Sequence, residues 1–127
     1  MFVADAYAGE LALRACELAR GGSPDPDCIA RIGQGWVGEE ALAIAVLSAA
    51  RHAGDFGAAI RSAANHSGDS DSTASICGNI VGAATGLSAI GEEWTRGPEL
   101  CDVIMEVARD LCDDCPMEKW EPYRDER

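Results

Sequence analysis

The stretch NHSGDSDSTASICGNIVGAATG, Asn65 to Gly86, gathers hard oxygen donors where a helix begins. Asp69, Asp71 and Ser72 or Thr73 fall within five residues. Two carboxylates this close repel unless they diverge into solvent, cap the helix or share a cation. Capping is one reading, since Asp is favoured at N-caps and in first turns. A divalent ion is the other, and an all-oxygen donor set suits magnesium or manganese, whereas the lack of well-placed His and Cys argues against zinc. Behind the acidic start, Gly78, Gly82 and Gly86 fall four apart, with Ala74 on the same stripe. That spacing puts them on one helix face, where a neighbouring backbone can approach. Asn79 and the acidic start favour a packed soluble helix over a membrane dimer.

Upstream, Asp55 is placed to cap a short helix to Asn65, with Phe56, Ile60 and Ala63 on one face and Ala59 beside them. Val37 to Arg51 reads as a mostly buried helix, its dipole complemented by Glu39 and Glu40 at the start and Arg51 and His52 at the end. Gly33 and Gly35 punctuate the chain before it. The segment Gly21 to Asp27 reads as a loop whose two prolines exclude continuous helix, with a turn of helix through Ile32. Tyr7, Leu11, Ala15 and Leu18 recur at helical spacing from Asp5 to Arg20. Downstream, a helix after Gly97-Pro98 carries Leu100, Val103, Ile104, Val107 and Leu111, and the tail from about 116 to 127 is expected to fray. These patterns predict an all-α fold.

The composition agrees. Only 6% of the 127 residues are aromatic while alanine and glycine abound, which favours close packing of small-faced helices in one domain over residues 1–127. A formal charge of -12 disfavours nucleic acid, and an anionic nucleotide is admitted only where cations or helix N-termini invert the local field. Asp5 and Glu10 interrupt any secretory signal, and the weakly apolar run Ala41 to Ala50 is too short for a membrane span. A cytoplasmic protein with no membrane association is expected. The six cysteines are scattered through helical patterns and read mostly as reduced core residues. Cys112 and Cys115 form a lone CxxC lacking the two further ligands that zinc needs.

Two sharper motif readings fail. In an EF-hand beginning at Asp69, Ala74 would occupy the glycine position and Ile80 the acidic one. Asp69-Ser70-Asp71-Ser72-Thr73 also matches a phosphatase nucleophile pattern, DxDxT, but that chemistry places the first Asp at the end of a buried strand. A helical pattern and the loop Asn65-His66-Ser67-Gly68 precede it here.

GWVGEEALAIAV, Gly35 to Val46, followed by the Asn65 to Gly86 stretch, resembles the ADP-ribosylglycohydrolases, of the dinitrogenase-reductase-activating glycohydrolase type. The likeness is strongest from Ile29 to Gly91 and diffuse in the flanking helices. It implies an all-helical hydrolase that removes ADP-ribose from modified protein side chains or small acceptors with two magnesium or manganese ions in a cleft. The family motif G-D-x-D-[ST] falls on Gly68, Asp69, Ser70, Asp71 and Ser72, which implies Asp69, Asp71 and Ser72 as metal ligands. The ions would grip ribose hydroxyls, orient a water and stabilise charge at C1. His66 reads as a hydrogen-bonded structural residue.

The family's N-terminal G-D-x-x-G and T-[DS]-D-[TS] segments, which carry the other ligands and an acidic catalytic residue, do not occur in this sequence. The resemblance is therefore to the C-terminal portion of the fold, a single partial domain; catalytic residues are expected in the N-terminal half, and substrate-binding residues are not assigned. Two readings follow. In one, the chain is a fragment or split subunit, active beside an N-terminal partner chain, with homo-oligomerisation also open. In the other, it is a non-catalytic remnant that serves at most as a ligand-binding or interaction module.

Overall fold

Alanine and branched residues on opposite faces give one helix two partners at once. The computed structural model describes the backbone of residues 3–113 and side chains from Ala6 onward. Its elements are α1 (Val3–Ala19), α2 (Asp25–Ala30), α3 (Gly38–Arg51), α4 (Phe56–Ala64), α5 (Ser70–Thr85), a 3-10 turn (Leu87–Ala89), α6 (Glu92–Thr95) and α7 (Cys101–Cys112). There is no strand among the described residues, as the sequence patterns predict. Nor is any described helix long and apolar enough to cross a membrane. Cys115 and the tail from 116 lie outside the described residues.

The chain divides into two units at Gly91 and Glu92. In the first, α3 is the centre, packed on α1, α4 and α5. One side of α3 sends Ala43, Ile44 and Leu47 into a cluster with Leu11, Ala15 and Leu18 of α1 and Cys28, Ile29 and Ile32. The other sends Ala45 and Ala49 against Ala59, Ala63, Cys77 and Val81 of α4 and α5. A helix apolar on both sides must be covered on both sides. The small alanine faces bring the α4 and α5 backbones close, and the Ser62 and Ser48 hydroxyls hydrogen-bond at 3.2 Å. Burial raises the Cys77 thiol pKa to about 11, so it packs as a small hydrophobe while donating to the Ala59 carbonyl.

Three departures from the sequence expectations have local causes. Pro24 and Pro26 do not hold the chain as loop through Asp27, because α2 starts at Asp25. A proline in the first helical turn removes an N–H that has no intrahelical partner anyway. Tyr7 is 43% exposed at the outer edge of the α1 stripe, whereas Leu11, Ala15 and Leu18 are buried. The glycine stripe of α5 meets side chains rather than a backbone: a Cβ on Gly78 would lie 3.3 Å from Ile60 Cδ1, and one on Gly82 3.8 Å from Ile90 Cδ1. Asp55 caps α4 as expected, its carboxylate accepting from the Ala58 N–H at 2.9 Å.

In the second unit, Arg96 pairs with Glu92 at 3.2 Å and the Cys101 thiol donates to the Thr95 carbonyl. The short helix α6 is not anticipated by the sequence patterns. Ile104, Val107 and Leu111 share one face of α7, whereas Leu100, expected on the helix, precedes it in the left-handed region with φ of 59°.

A polar clamp ties α2 to the end of α3. Arg51 Nε lies 2.9 Å from Asp25 Oδ1 and His52 Nε2 2.6 Å from Oδ2. Burial pushes the Asp25 pKa up, but hydrogen bonds from Ser62 and His52 and the charges of His52 and Arg51 outweigh it, leaving the carboxyl below its usual range. Its stabilising contribution is therefore present above the unfolded value of 3.8 and is lost as pH falls through the lower folded value. Asp25→Asn should cost about 2 kcal/mol at neutral pH, because it leaves the Arg51 guanidinium unpaired. Urea unfolding measured from about pH 6 down to about pH 3 should show the variant losing less further stability than the parent. Parallel curves would rule the clamp out as a pH-dependent element.

Candidate functional site

The turn from Asn65 to Asp69 connects α4 to α5, and its path depends on a residue without a side chain. A Cβ built on Gly68 would lie 1.8 Å from the Gln34 carbonyl oxygen. No other residue type fits there while the Asp69 N–H donates to that same oxygen at 2.8 Å. Gly35 completes the junction with φ of +80°, in the left-handed region, and a Cβ there would press on Thr73 Cγ2 at 2.9 Å. The Gln34-Gly35 segment is held from the other side. Glu40, in the first turn of α3, folds back so that its Oε2 accepts from the Gln34 and Gly35 N–H groups at 3.1 and 3.0 Å. This resembles a capping box displaced into the preceding loop.

Thr73 anchors the turn from below. Fully buried in the first unit, its hydroxyl donates to the Ala63 carbonyl at 2.8 Å and lies 2.9 Å from His66 Nε2. His66 Nδ1 accepts from the Gly68 N–H at 3.1 Å. With Nδ1 accepting, the ring hydrogen belongs on Nε2, which donates to Thr73. Both ring nitrogens are thereby used, and His66 is structural, in agreement with the sequence reading. Beside it a cavity of about 250 Å³ is lined by Pro26, Ile29, Gly33, Gln34, His66 and Ser67.

On this base stand Asp69, at the N-cap of α5, and Asp71 and Ser72 in its first turn. The helix starts at Ser70, so two of the three motif donors are helical rather than in the loop. Asp69 occupies the cap position, yet its side chain makes no cap hydrogen bond. That removes the simplest alternative use of its carboxylate. Asp71 is exposed, and its pKa is lowered, first by a hydrogen bond with the Asp69 carboxyl and then by the backbone N–H groups of Asp71 and Ser72. The two carboxyl groups thus stand two residues apart at one helix start. Oxygen donors so placed fit a hard divalent ion, with Ser72 adjacent as a third donor. Among the described residues no three His, Cys, Asp or Glu side chains converge, so the fit is to part of a coordination shell.

A family model described as ADP-ribosylglycohydrolase matches residues 3–121. The chain belongs to the ADP-ribosylglycohydrolase family. The match extends the likeness well past Ile29 to Gly91, into the helices where the motifs alone leave it diffuse. Searches of curated proteins and of solved structures return no match. Of the residues that build the site, Gln34 and Glu40 carry no sequence signal of that role. Glu40 reads only as a dipole partner, and Gln34 acts through its backbone.

Gly68→Ala should force Asp69 away from the Gln34 carbonyl, lowering stability by about 2–4 kcal/mol. Thr73→Val, which keeps the shape but leaves the His66 N–H and the Gly68 turn without their anchor, should cost about 1–3 kcal/mol. Thermal unfolding of both variants checks this, and a Gly68→Ala protein as stable as the parent would contradict the described packing.

Proposed function

We propose that this chain supplies Asp69, Asp71 and Ser72 to a magnesium or manganese site and serves as the C-terminal, metal-binding part of a cytoplasmic ADP-ribosylglycohydrolase. The observation that carries this reading is the pair of adjacent carboxylates on an anchored turn, with Asp69 at a cap position it does not use for capping. Among the described residues the donor set is incomplete, which supports a division of labour in which N-terminal helices bring the remaining ligands and the acidic catalytic residue. Trp36 and Val37, which directly follow the Gln34-Gly35 junction, are 67% and 48% exposed, a surface suited to covering by such helices. The substrate class is an ADP-ribosylated protein side chain or a small ADP-ribosyl compound.

In this arrangement Asp69 and Asp71 hold charge fixed at the head of α5, and Ser72 adds a neutral oxygen. Divalent ions bound there would supply grip on the ribose hydroxyls and stabilisation of charge as the C1 glycosidic bond opens. They would also offset the -12 charge of the chain near a pyrophosphate.

Titration calorimetry with magnesium and manganese should show weak binding to the chain, lost in Asp69→Asn and in Asp71→Asn and kept in Asp55→Asn, whose carboxylate is engaged in capping α4. Equal affinities across all four proteins would return the acidic turn to a plain helix start.

The purified chain should release no ADP-ribose from a modified protein or small acceptor. Co-expression with a chain carrying the G-D-x-x-G and T-[DS]-D-[TS] segments should yield a complex whose activity falls at least about a hundredfold with Asp71→Asn. Metal-dependent turnover by the isolated chain would overturn the split arrangement, and an inactive complex would favour a non-catalytic remnant.

A further inference from the structure

Glu40 is the third residue of α3, where a capping box would turn its side chain back to the N-cap N–H. Its carboxylate instead reaches the loop beyond. Oε2 accepts from the Gln34 N–H at 3.1 Å and from the Gly35 N–H at 3.0 Å. Gly33 makes room for it: a Cβ there would fall 2.3 Å from Glu40 Cδ and 2.5 and 2.6 Å from the two carboxylate oxygens. A side chain at position 33 and this seat for the carboxylate exclude each other.

The Gly35 N–H and the Gln34 carbonyl are the two ends of one peptide group. The first donates to Glu40, and the second accepts from the Asp69 N–H at 2.8 Å. Glu40 and Asp69 are thus joined through a single rigid plane. Hydrogen bonds at the two ends of such a plane polarise one another, so a carboxylate pulling on the N–H makes the carbonyl a stronger acceptor. Without the carboxylate the plane is free to turn, and the Asp69 N–H loses a fixed target.

We propose that Glu40 is a positioning residue for the acidic turn, setting the place of Asp69 through the Gln34-Gly35 peptide and thereby the affinity of the turn for a divalent ion. The effect on affinity rests on the reading of Asp69, Asp71 and Ser72 as ion ligands; the placement of Asp69 does not. Glu40 acts through the peptide rather than as a ligand, since its Oε2 is engaged with two N–H groups. Glu39, beside it in the first turn of α3, shares the interaction with the helix dipole but makes neither of these bonds.

The isotope-labelled full chain and its variants Glu40→Gln, Glu40→Asp, Gly33→Ala and Glu39→Gln are compared by hydrogen exchange at the Asp69 amide and by titration calorimetry with manganese. Glu40→Gln keeps an acceptor at the same reach, whereas Glu40→Asp keeps the charge one methylene short. Exchange at Asp69 should quicken about twofold to threefold in Glu40→Gln and at least about tenfold in Glu40→Asp. Gly33→Ala, which displaces the carboxylate without removing it, should match Glu40→Asp, and Glu39→Gln should match the parent. The His52 amide, bonded to the Ser48 carbonyl at the other end of α3, should change less than about twofold throughout, which separates local release from loss of the fold. Manganese affinity should fall about threefold to tenfold in Glu40→Asp and Gly33→Ala and less than about twofold in Glu40→Gln. The proposal is overturned by Asp69 exchange that is unchanged in Glu40→Asp, that is faster in Glu40→Gln than in Glu40→Asp, or that moves in step with His52. Manganese affinity that stays at the parent value where the Asp69 amide is released would overturn it as well. A parent that binds no manganese would sink the ion reading of the turn, while the exchange comparison would still decide whether Glu40 positions Asp69.

Discussion

The hydrogen bond from the Asp69 N–H to the Gln34 carbonyl holds two distant parts of the chain in one plane of contact, at 2.8 Å. It forms only because Gly68 leaves room for that carbonyl and because Glu40 fixes the Gln34-Gly35 backbone from behind. Side chains then follow the backbone. Asp69 arrives at the head of α5 already oriented by its own N–H, and Asp71 follows two residues later. Asp69 is thus positioned by main-chain bonds and one buried hydroxyl, that of Thr73, rather than by a bond from its carboxylate to the helix cap. Such a design leaves the Asp69 carboxylate free of the helix cap while the groups beneath it are satisfied.

Support for that junction comes from α3, which serves both sides of the first unit. Its first turn supplies Glu40 to the site, and its C-terminal end supplies Arg51 and His52 to Asp25. Between them, two apolar faces join the α1 and α2 cluster to the α4 and α5 cluster. Displacing α3 would therefore disturb the acidic turn and both core clusters together. The alanine-rich character of the helix is what lets it be shared, since larger side chains on the face carrying Ala45 and Ala49 would push α4 and α5 away.

Much of this was legible in the sequence. The helical class, the buried character of α3, the Asp55 cap and the place of Asp69, Asp71 and Ser72 at a helix start follow from periodicity and end signals that act over one or two turns. What was not legible involves partners chosen by the path of the chain. Glu40 reaches back five and six residues to N–H groups in a glycine-bracketed loop, and Gln34 contributes a carbonyl that any residue possesses. The engagement of His66 between Gly68 and Thr73 needs the turn geometry before either bond can be inferred. The onset of α2 at Asp25 was obscured because proline punctuates loops and first helical turns alike.

The junction also bears on how the protein folds. Gln34 and Asp69 are separated by the whole of α3 and α4, so their bond closes a long loop. The entropy of that closure must be met before the contact returns any stabilisation, which places such contacts late in folding. The helices flanking the acidic turn can form locally, but the turn acquires its shape only once α3 has docked. Any cation that recognises the finished turn would bind the native state and not its precursors. Occupancy would then act as a thermodynamic latch on the folded chain, with the cation concentration setting its strength.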